Sequence, residues 1–286
     1  YISNLLENRT IRTLIYIFLV IYILVYFSGI HNYGEMLYMP FLRKLSIHDY
    51  GRQFFDIQVF YANKKTEKIC KSLGTSKAKG NYILTPNHHG YLSLATFFGV
   101  VTNSKYFGLD RMYIGVHKIL MRLPFIWDFF KYYGCFNIQK NNVIRHIERG
   151  DDILIVPGGS REILKCSFDN LDMNFEKRDG ILKLAYQYKK PVIPIYLKGG
   201  NRIFQTKKIP RITDYFMNHC YRYPFPLFVW GPNPTKVRVY VCEPVDPSKF
   251  SSYKKFEKQY YTDLLTTIKH RESYKIVGSL RRKMME

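Results

Sequence analysis

The apolar positions of the 286-residue chain fall into short runs that alternate with longer stretches of mixed polarity. Four runs are rich in β-branched residues and end near Pro, Gly or Asn, as buried strands do: NYILTPN (81–87), DDILIVPGG (151–159), KPVIPIYLKGG (190–200) and KVRVYVCEPV (236–245). Helix-length stretches lie among them: LSLATFFGVVT (92–102), NVIRHIERG (142–150) and GILKLAYQYKK (180–190). This alternation predicts an α/β fold with a mixed, mostly parallel sheet flanked by helices.

An apolar run near the N-terminus predicts a membrane helix or hairpin. Residues 13–30 (TLIYIFLVIYILVYFSGI) carry no charge, and their length approaches the roughly 20 residues that cross a bilayer core. A cleaved signal peptide is disfavoured, because the run is long and no small-residue cleavage site follows it. The patch MLYMPFL (36–42), interrupted by Pro40, is predicted to lie in the interface or to form a returning arm. We predict a membrane-anchoring segment at 1–45 and a folded domain at 46–286, ending in a charged surface helix with a basic tail (254–286).

The charge balance indicates an anionic partner. Lys and Arg number 44 against 22 acidic residues, a formal net charge of +22. A membrane and a nucleic acid both fit this charge, but no nucleic-acid-binding module is recognisable and nucleic acid would leave the apolar run unexplained. The five cysteines are scattered and form no C-x-x-C pair. We therefore predict reduced thiols, no metal site and no nucleic-acid partner.

Two adjacent histidines follow the first predicted strand. His88 and His89 come after Pro86 and Asn87, and an imidazole with a pKa of about 6.5 can accept a proton at neutral pH. Such a pair, taken alone, more often belongs to the surface or the core. A second loop, VPGGSRE (156–162), also follows a strand; its glycines let backbone N–H groups approach a ligand, and its arginine offers a forked cation. Both loops fall where functional groups gather in α/β sheets, at the carboxyl ends of strands.

These residues carry a resemblance to a known family. PNHHGYLSLATF (86–97) is similar to the H-P-H-G segment of the second family of diacylglycerol acyltransferases, which includes monoacylglycerol acyltransferases and wax synthases. IVPGGSREIL (155–164) resembles its G-G-x-x-E block, and 175–204 resembles its R-x-x-G-F-x-x-L-A region and V-P-x-Y strand. WGPNPTKVRVYVCEPV (230–245) resembles its late proline-rich segment. The blocks occur in family order, so the resemblance implies a glycerolipid-acyltransferase-like fold and makes 46–286 the acyltransferase domain.

The chain departs from the family pattern at the histidines. Anchoring the alignment on Gly90 makes His89 the catalytic histidine and places Asn87 and His88 where the family has His and Pro. The broader glycerolipid acyltransferase superfamily has N-H-x-x-x-x-D instead, which matches Asn87 and His88 but finds Ser93 in place of Asp. Both registers remain open, with His89 favoured.

The resemblance implies a role for each matched residue. His89 or His88 is the general base, and Glu162, or less favourably Ser93, orients the imidazole. Backbone N–H groups of Gly158, Gly159 and Ser160, in the turn opened by Pro157, are the expected oxyanion donors. The candidates for a phosphate of coenzyme A or of the acceptor are Arg161, Lys165, Arg178 and Lys140. Tyr91, Phe97 and Phe98 either line an acyl tunnel or, more commonly for aromatics, form core.

The implied activity is acyl transfer from acyl-CoA, as co-substrate and without a cofactor, to the hydroxyl of diacylglycerol or monoacylglycerol. The expected partners are acyl-CoA, a glycerolipid acceptor and membrane lipids, and the expected location is the endoplasmic reticulum membrane with the catalytic domain facing the cytosol. Acylation of a lysophospholipid or glycerol phosphate, favoured by Arg161, and an inactive lipid-binding relative are the alternatives.

Overall fold

The computed structural model describes most of the domain and three positions of the N-terminal run. The described residues are 40–74, 81–88, 94–108, 112–118, 130–158, 179–207, 210–219 and 228–271, together with positions 13, 17, 20 and 120.

Nine strands and seven helices form the described part of the chain. The strands are β1 (Gln58–Tyr61), β2 (Ile83–Pro86), β3 (Met112–Val116), β4 (Cys135–Asn137), β5 (Asp152–Leu154), β6 (Val192–Lys198), β7 (Gln205–Lys207), β8 (Phe228–Trp230) and β9 (Arg238–Val241). The helices are α1 (Ile47–Phe54), α2 (Lys64–Ser72), α3 (Leu94–Thr96), α4 (Lys140–Arg149), α5 (Gly180–Gln187), α6 (Pro210–His219) and α7 (Tyr253–Arg271). A π-helical turn, Phe97–Val101, continues α3, and 3₁₀ turns lie at Pro40–Lys44, Gly200–Arg202 and Pro247–Lys249.

Seven strands form one sheet in the order β1-β9-β6-β2-β5-β3-β4, and β7 and β8 form a separate antiparallel pair. The five strands from β6 to β4 are parallel. β9 runs antiparallel to β6 and parallel to β1, so the last two strands run against the other five. All four strands predicted from the sequence are present, and the predicted mixed, mostly parallel sheet is confirmed.

Helices cover both faces of the sheet, each over its own apolar cluster. One cluster joins α4, α5 and α7 to side chains such as Ile153 and Tyr196. The other joins α1, α2 and the helical segment 94–101 to side chains such as Leu84 and Leu197. Because both faces are covered at the centre of the sheet, β2, β5 and β6 are buried along almost their whole length and read as continuous apolar runs, which is why the sequence predicted them readily.

The C-terminal helix differs from the surface helix predicted for 254–286. α7 is helical over Tyr253–Arg271, but Phe256, Tyr260, Leu264 and Ile268 follow one another at four-residue spacing and are each at most 1% exposed. Burial of a side chain of this size is worth about 1.5–3 kcal/mol, so α7 is a main element of the core. The high Lys content of its outer face concealed this stripe in the sequence. The predicted basic tail, with Arg281 and Lys283, lies outside the described residues.

The predicted membrane segment lies almost wholly outside the described residues. Thr13, Ile17 and Val20 are described and are helical, and Ile17 and Val20 are exposed. Within the parts of the chain that the structure describes, none of the helices combines length and apolar character sufficiently to cross a bilayer. The predicted interfacial patch ends within a 3₁₀ turn, Pro40–Lys44.

A buried carboxylate fastens the chain at the amino edge of the sheet. Asp152, 4% exposed, accepts hydrogen bonds from the backbone N–H groups of Gly74 at 2.5 Å and Tyr82 at 2.6 Å. Cys70 lies close by, and burial followed by the charge of Asp152 raises the pKa of its thiol to about 12. Cys70, Cys135 and Cys242 are free, buried thiols, whereas Cys166 and Cys220 lie outside the described residues.

Candidate active site

At the end of β2, the side chain of Asn87 takes the place of one backbone hydrogen-bond acceptor of the sheet. The Asn87 N–H still donates to the Ile195 carbonyl of β6 at 3.2 Å, as a parallel ladder requires. The next regular bond would join the Leu197 N–H to the Asn87 carbonyl, but the Asn87 side-chain oxygen accepts it instead, at 2.6 Å. The Asn87 amide also lies 3.4 Å from the Leu197 carbonyl and 3.3 Å from the His88 carbonyl. Asn87, 1% exposed, thereby frees its own backbone to turn out of the sheet at His88.

His88 is the first residue beyond this exit, and it is half-buried. It lies at the carboxyl end of a parallel strand, as the sequence predicted. His89, Gly90 and Ser93 lie outside the described residues. The choice between His88 and His89 as the base therefore stays a prediction.

The chain leaves β5 through the predicted Pro-Gly turn. Pro157 and Gly158 are both buried, and Gly158 has φ +89°. Only glycine adopts this left-handed conformation without strain, which explains the residue type at this position. The rest of the predicted loop lies outside the described residues: Gly159, Ser160, Arg161, Glu162, Lys165 and Arg178.

The register of the sheet brings the two exits together. β2 pairs directly with β5 through Leu84 and Leu154, and the Ile155 N–H donates to the Leu84 carbonyl at 2.9 Å. His88 and Gly158 each stand four residues past this matched pair. Neighbouring strands lie about 4.8 Å apart, so the histidine loop and the glycine turn start side by side. This arrangement can set an imidazole base next to backbone N–H donors, the combination that acyl transfer needs.

Lys140 and two residues that the sequence analysis missed lie along the same edge. Lys140 begins α4 just after β4 and is exposed. β4 is three strands from β2, or about 14 Å at the usual strand spacing. His117 and Lys118 follow β3, which pairs with β5 on the side away from β2. The signal for them in the sequence is a basic pair after the apolar run MYIGV, which forms β3.

The aromatic residues after the histidines pack as core. The ring of Phe97 lies 5.7 Å from the ring of His48 and 5.2 Å from that of Tyr133. The ring of Phe98 lies 5.8 Å from that of Phe55. The contacts of Phe97 and Phe98 thus favour the core interpretation over an acyl tunnel, and Tyr91 lies outside the described residues.

A buried histidine connects this aromatic group to the start of the domain. His48 is 6% exposed, and its Nε2 donates to the Leu42 carbonyl at 2.9 Å. Burial is the main cause that lowers the pKa of His48. The neighbouring Arg52 donates to the Thr102 carbonyl at 2.7 Å, at the end of the π-helical turn. Such turns are frequent at functional sites, and this turn belongs to the segment that follows the histidine loop.

Another cation at this edge already has a partner. Arg238 begins β9 and donates to the Asp56 carboxylate at 2.9 Å. This hydrogen bond is the main cause that lowers the pKa of Asp56. Across the described ranges, no group of three or more His, Cys, Asp and Glu residues could hold a metal ion.

Comparisons with known proteins show what the chain is similar to. Diacylglycerol O-acyltransferase 2B of Umbelopsis ramanniana is 30% identical over 140 residues, which cover 46% of this chain and 40% of the relative. Diacylglycerol O-acyltransferase 2 of Dictyostelium discoideum is 27% identical over 139 residues, covering 46% of this chain and 42% of the relative. The human diacylglycerol O-acyltransferase 2 is 25% identical over 171 residues, covering 57% and 41%. The chain therefore spans less than half the length of each of these relatives.

A solved structure supports the fold. The crystal structure of the 1-acyl-sn-glycerophosphate (LPA) acyltransferase PlsC from Thermotoga maritima aligns with 93% of this chain and with all of its own, at a TM-score of 0.52 and 19% identity. This is a likeness of fold alone. The model of the family described as "Diacylglycerol acyltransferase" matches residues 9–220, more than two thirds of the chain. The chain belongs to the diacylglycerol acyltransferase family.

Proposed function

We propose that this protein is a membrane-bound O-acyltransferase that moves a fatty acyl group from acyl-CoA to the hydroxyl of diacylglycerol or monoacylglycerol. The product is triacylglycerol or a related neutral lipid. The observation that carries the proposal is the pairing of β2 with β5, which starts the histidine loop and the glycine turn side by side in a chain of this family.

In the proposed reaction the histidine, His89 or His88, removes the proton from the acceptor hydroxyl. The hydroxyl oxygen attacks the thioester carbonyl, the carbon–oxygen bond forms and the carbon–sulfur bond breaks. The imidazolium then returns its proton to the leaving thiolate of coenzyme A. No acyl-enzyme, metal or further cofactor takes part.

The glycine turn stabilises the oxyanion in this mechanism. Backbone N–H groups in the segment from Gly158 to Ser160 are the proposed donors, and each such donor is worth about 3 kcal/mol in a preorganised site. We assign Glu162 the role of orienting the histidine and stabilising its charged form. We propose Arg161 as the main contact with a phosphate of coenzyme A, and Lys165, Arg178 and Lys140 as further contacts.

The membrane location rests on sequence features. The uncharged run at 13–30 anchors the chain, and the net charge of +22 favours the anionic cytosolic leaflet. We assign the protein to the endoplasmic reticulum membrane with its catalytic domain in the cytosol, where acyl-CoA is available.

A phosphorylated acceptor, a lysophospholipid or glycerol phosphate, is the second candidate substrate. The specific observation in its favour is Arg161 within P-G-G-S-R, because a guanidinium binds phosphate through two parallel hydrogen bonds. On that alternative, Arg161→Gln raises the KM for the phosphorylated acceptor sharply. Unchanged kinetics toward that acceptor would exclude it.

The deciding experiment measures acyl transfer from labelled oleoyl-CoA by membranes that contain the protein. Diacylglycerol, monoacylglycerol, a fatty alcohol and lysophosphatidate are offered separately. The variants are His88→Ala and His89→Ala, and His219→Ala is a control at an exposed histidine of α6. We expect label in a neutral glyceride, its loss in one of the two loop variants, and no change in the control.

One further variant separates the two registers. His88→Pro introduces the residue that the family has at this position and leaves His89 intact. If His89 is the base, this variant keeps its activity; if His88 is the base, transfer is lost. No transfer to any acceptor by folded wild-type protein would instead indicate an inactive lipid-binding relative.

A further inference from the structure

Large apolar side chains are exposed at the start of the domain. Ile47, Tyr50 and Phe54 recur on α1 at the i, i+3, i+7 spacing that places them on one face, with 64%, 75% and 47% of their surface exposed. Phe41 and Leu45, on the preceding turn, are 58% and 41% exposed. We call these five side chains the α1 apolar face.

The opposite side of α1 is firmly packed, so the exposure does not come from a detached helix. The Phe98 ring lies directly over Gly51, where a Cβ atom would approach it to 2.4 Å. Arg52 donates to the Thr102 carbonyl at 2.7 Å, and His48 donates to the Leu42 carbonyl. α1 is therefore held with its inner side on the domain and its apolar side facing outward.

We propose that the α1 apolar face docks on the surface of a lipid bilayer. Ten large apolar side chains are exposed in the part of the chain that the structure describes, and seven of them lie between positions 17 and 54. Two of the seven, Ile17 and Val20, belong to the predicted membrane segment. Nine residues, 31–39, separate that segment from Pro40 and can reach at most about 30 Å when fully extended. The α1 apolar face thus lies within a short distance of the bilayer that the segment enters.

The charges around the face fit an anionic lipid surface. Lys44 is exposed on the turn between Phe41 and Leu45. Asp49, the acidic residue of α1, is neutralised by Arg52 at 2.5 Å. A basic residue beside an exposed stripe of Ile, Tyr and Phe fits a helix that lies in the membrane interface, with its apolar side about 5–10 Å below the head groups. With a net charge of +22, the chain is attracted to such a surface rather than repelled.

Docking would set the orientation of the active edge. α1 contacts Phe98 and the end of the π-helical turn, and this turn belongs to the segment that follows the histidine loop. A bilayer that holds α1 therefore also holds that segment at a fixed height above the membrane. The inference rests on the membrane-bound character of the proposed function but not on the acyl-transfer reaction.

The test measures the surroundings of single fluorescent labels in the full chain bound to liposomes of phosphatidylcholine and phosphatidylserine. The labelled variants are Tyr50→Cys on the α1 apolar face, Gln53→Cys on the polar side of α1 and Lys258→Cys on the exposed side of α7, which packs on the other face of the sheet from α1. Each signal is corrected with the labelled wild type, which carries only the native cysteines. Quenching is measured with iodide in the water and with spin-labelled lipids.

We expect the label at Tyr50 to be quenched several-fold more by spin-labelled lipid, and several-fold less by iodide, than the label at Lys258. The label at Gln53 should fall between them. Ile47→Cys provides a second probe of the apolar face if Tyr50→Cys does not fold. Co-flotation of the chain with liposomes is recorded separately, and its failure counts against the membrane-bound character itself.

Two results would overturn the docking inference while the chain still floats with liposomes. Iodide quenching at Tyr50 equal to that at Lys258 would show that the face points into water. Protection from iodide without quenching by spin-labelled lipid would show that protein covers it, either residues 1–39 or a second copy of the chain.

Discussion

Replacing Asn87 by alanine tests whether the exit of β2 positions the catalytic loop. The Asn87 side chain is the acceptor for the Leu197 N–H, at 2.6 Å, and Leu197 is fully buried. Asn87→Ala leaves that N–H without a partner, and an unsatisfied buried donor costs about 1–3 kcal/mol. The contact to the Leu197 carbonyl, at 3.4 Å, adds little. We therefore expect the free energy of unfolding to fall by about 2 kcal/mol.

The same substitution should impair catalysis beyond its effect on stability. Without the side chain, nothing holds the backbone of residue 87 in its turn out of the sheet, so His88 loses its fixed position. Misplacing a catalytic group by about 1 Å can cost about a hundredfold in rate, so we expect kcat to fall at least about tenfold. Hydrogen exchange at the Leu197 amide should accelerate, and this reports directly on the lost bond.

Asn63→Ala is the matched control for Asn87→Ala. Asn63 caps α2 through a bond of 2.8 Å from the Thr66 N–H, and it follows β1, at the opposite edge of the sheet. Losing this cap costs about 1 kcal/mol and should leave the kcat of folded protein unchanged. Equal kcat values for the two variants, compared at the same folded fraction, would refute the positioning role of Asn87.

Three further outcomes follow from the geometry. Gly158→Ala forces a left-handed conformation on alanine, so it should lower the free energy of unfolding by about 1–2 kcal/mol and slow acyl transfer. Gly180→Ala, with open space around its Cβ position, should change neither. Thermal unfolding and turnover measurements check both variants. Gly51→Ala drives a methyl group into the Phe98 ring and should cost about 1–3 kcal/mol of unfolding free energy, with partial recovery on adding Phe98→Leu; no recovery would contradict this contact. Burial keeps the pKa of folded His48 below its unfolded value of about 6.5. As the pH falls, the unfolded chain therefore binds more protons than the folded chain, and stability should decrease from about pH 7 downward. Denaturant titrations should show that His48→Gln removes this decrease.

The sequence predicts best those elements whose pattern is local. β2, β5 and β6 lie in continuous apolar runs, β9 alternates in burial but is rich in valine, and the left-handed Gly150 ends α4 where the helix was expected to stop. β4 reads Cys-Phe-Asn and has no β-branched residue, so it does not stand out from its surroundings. The buried face of α7 consists of three aromatic and three aliphatic side chains, and the lysines that alternate with them along the chain hide this periodicity in the sequence.

The candidate site shows the same division. The residue types His88 and Gly158, and their places after strands, were evident from the sequence. Their adjacency depends on the pairing of β2 with β5, whose matched residues Leu84 and Leu154 are far apart in the chain. The role of Asn87 depends on Leu197, 110 positions away. Sequence comparison with the family presented Asn87 as a departure, whereas its cross-strand bonds explain it as a means of leaving the sheet.

The buried carboxylate of Asp152 offers a practical route to the topology of the protein. It holds the backbone on both sides of positions 75–80, through Gly74 and Tyr82. A short epitope inserted there would start and end at fixed points, and longer loops cost little when their ends are already held. The insertion point is at the amino edge of β2, away from the histidine exit. Under the proposed membrane location, antibody access or protease cleavage at such an epitope in sealed vesicles would report which side of the membrane the domain faces, with the enzyme still active.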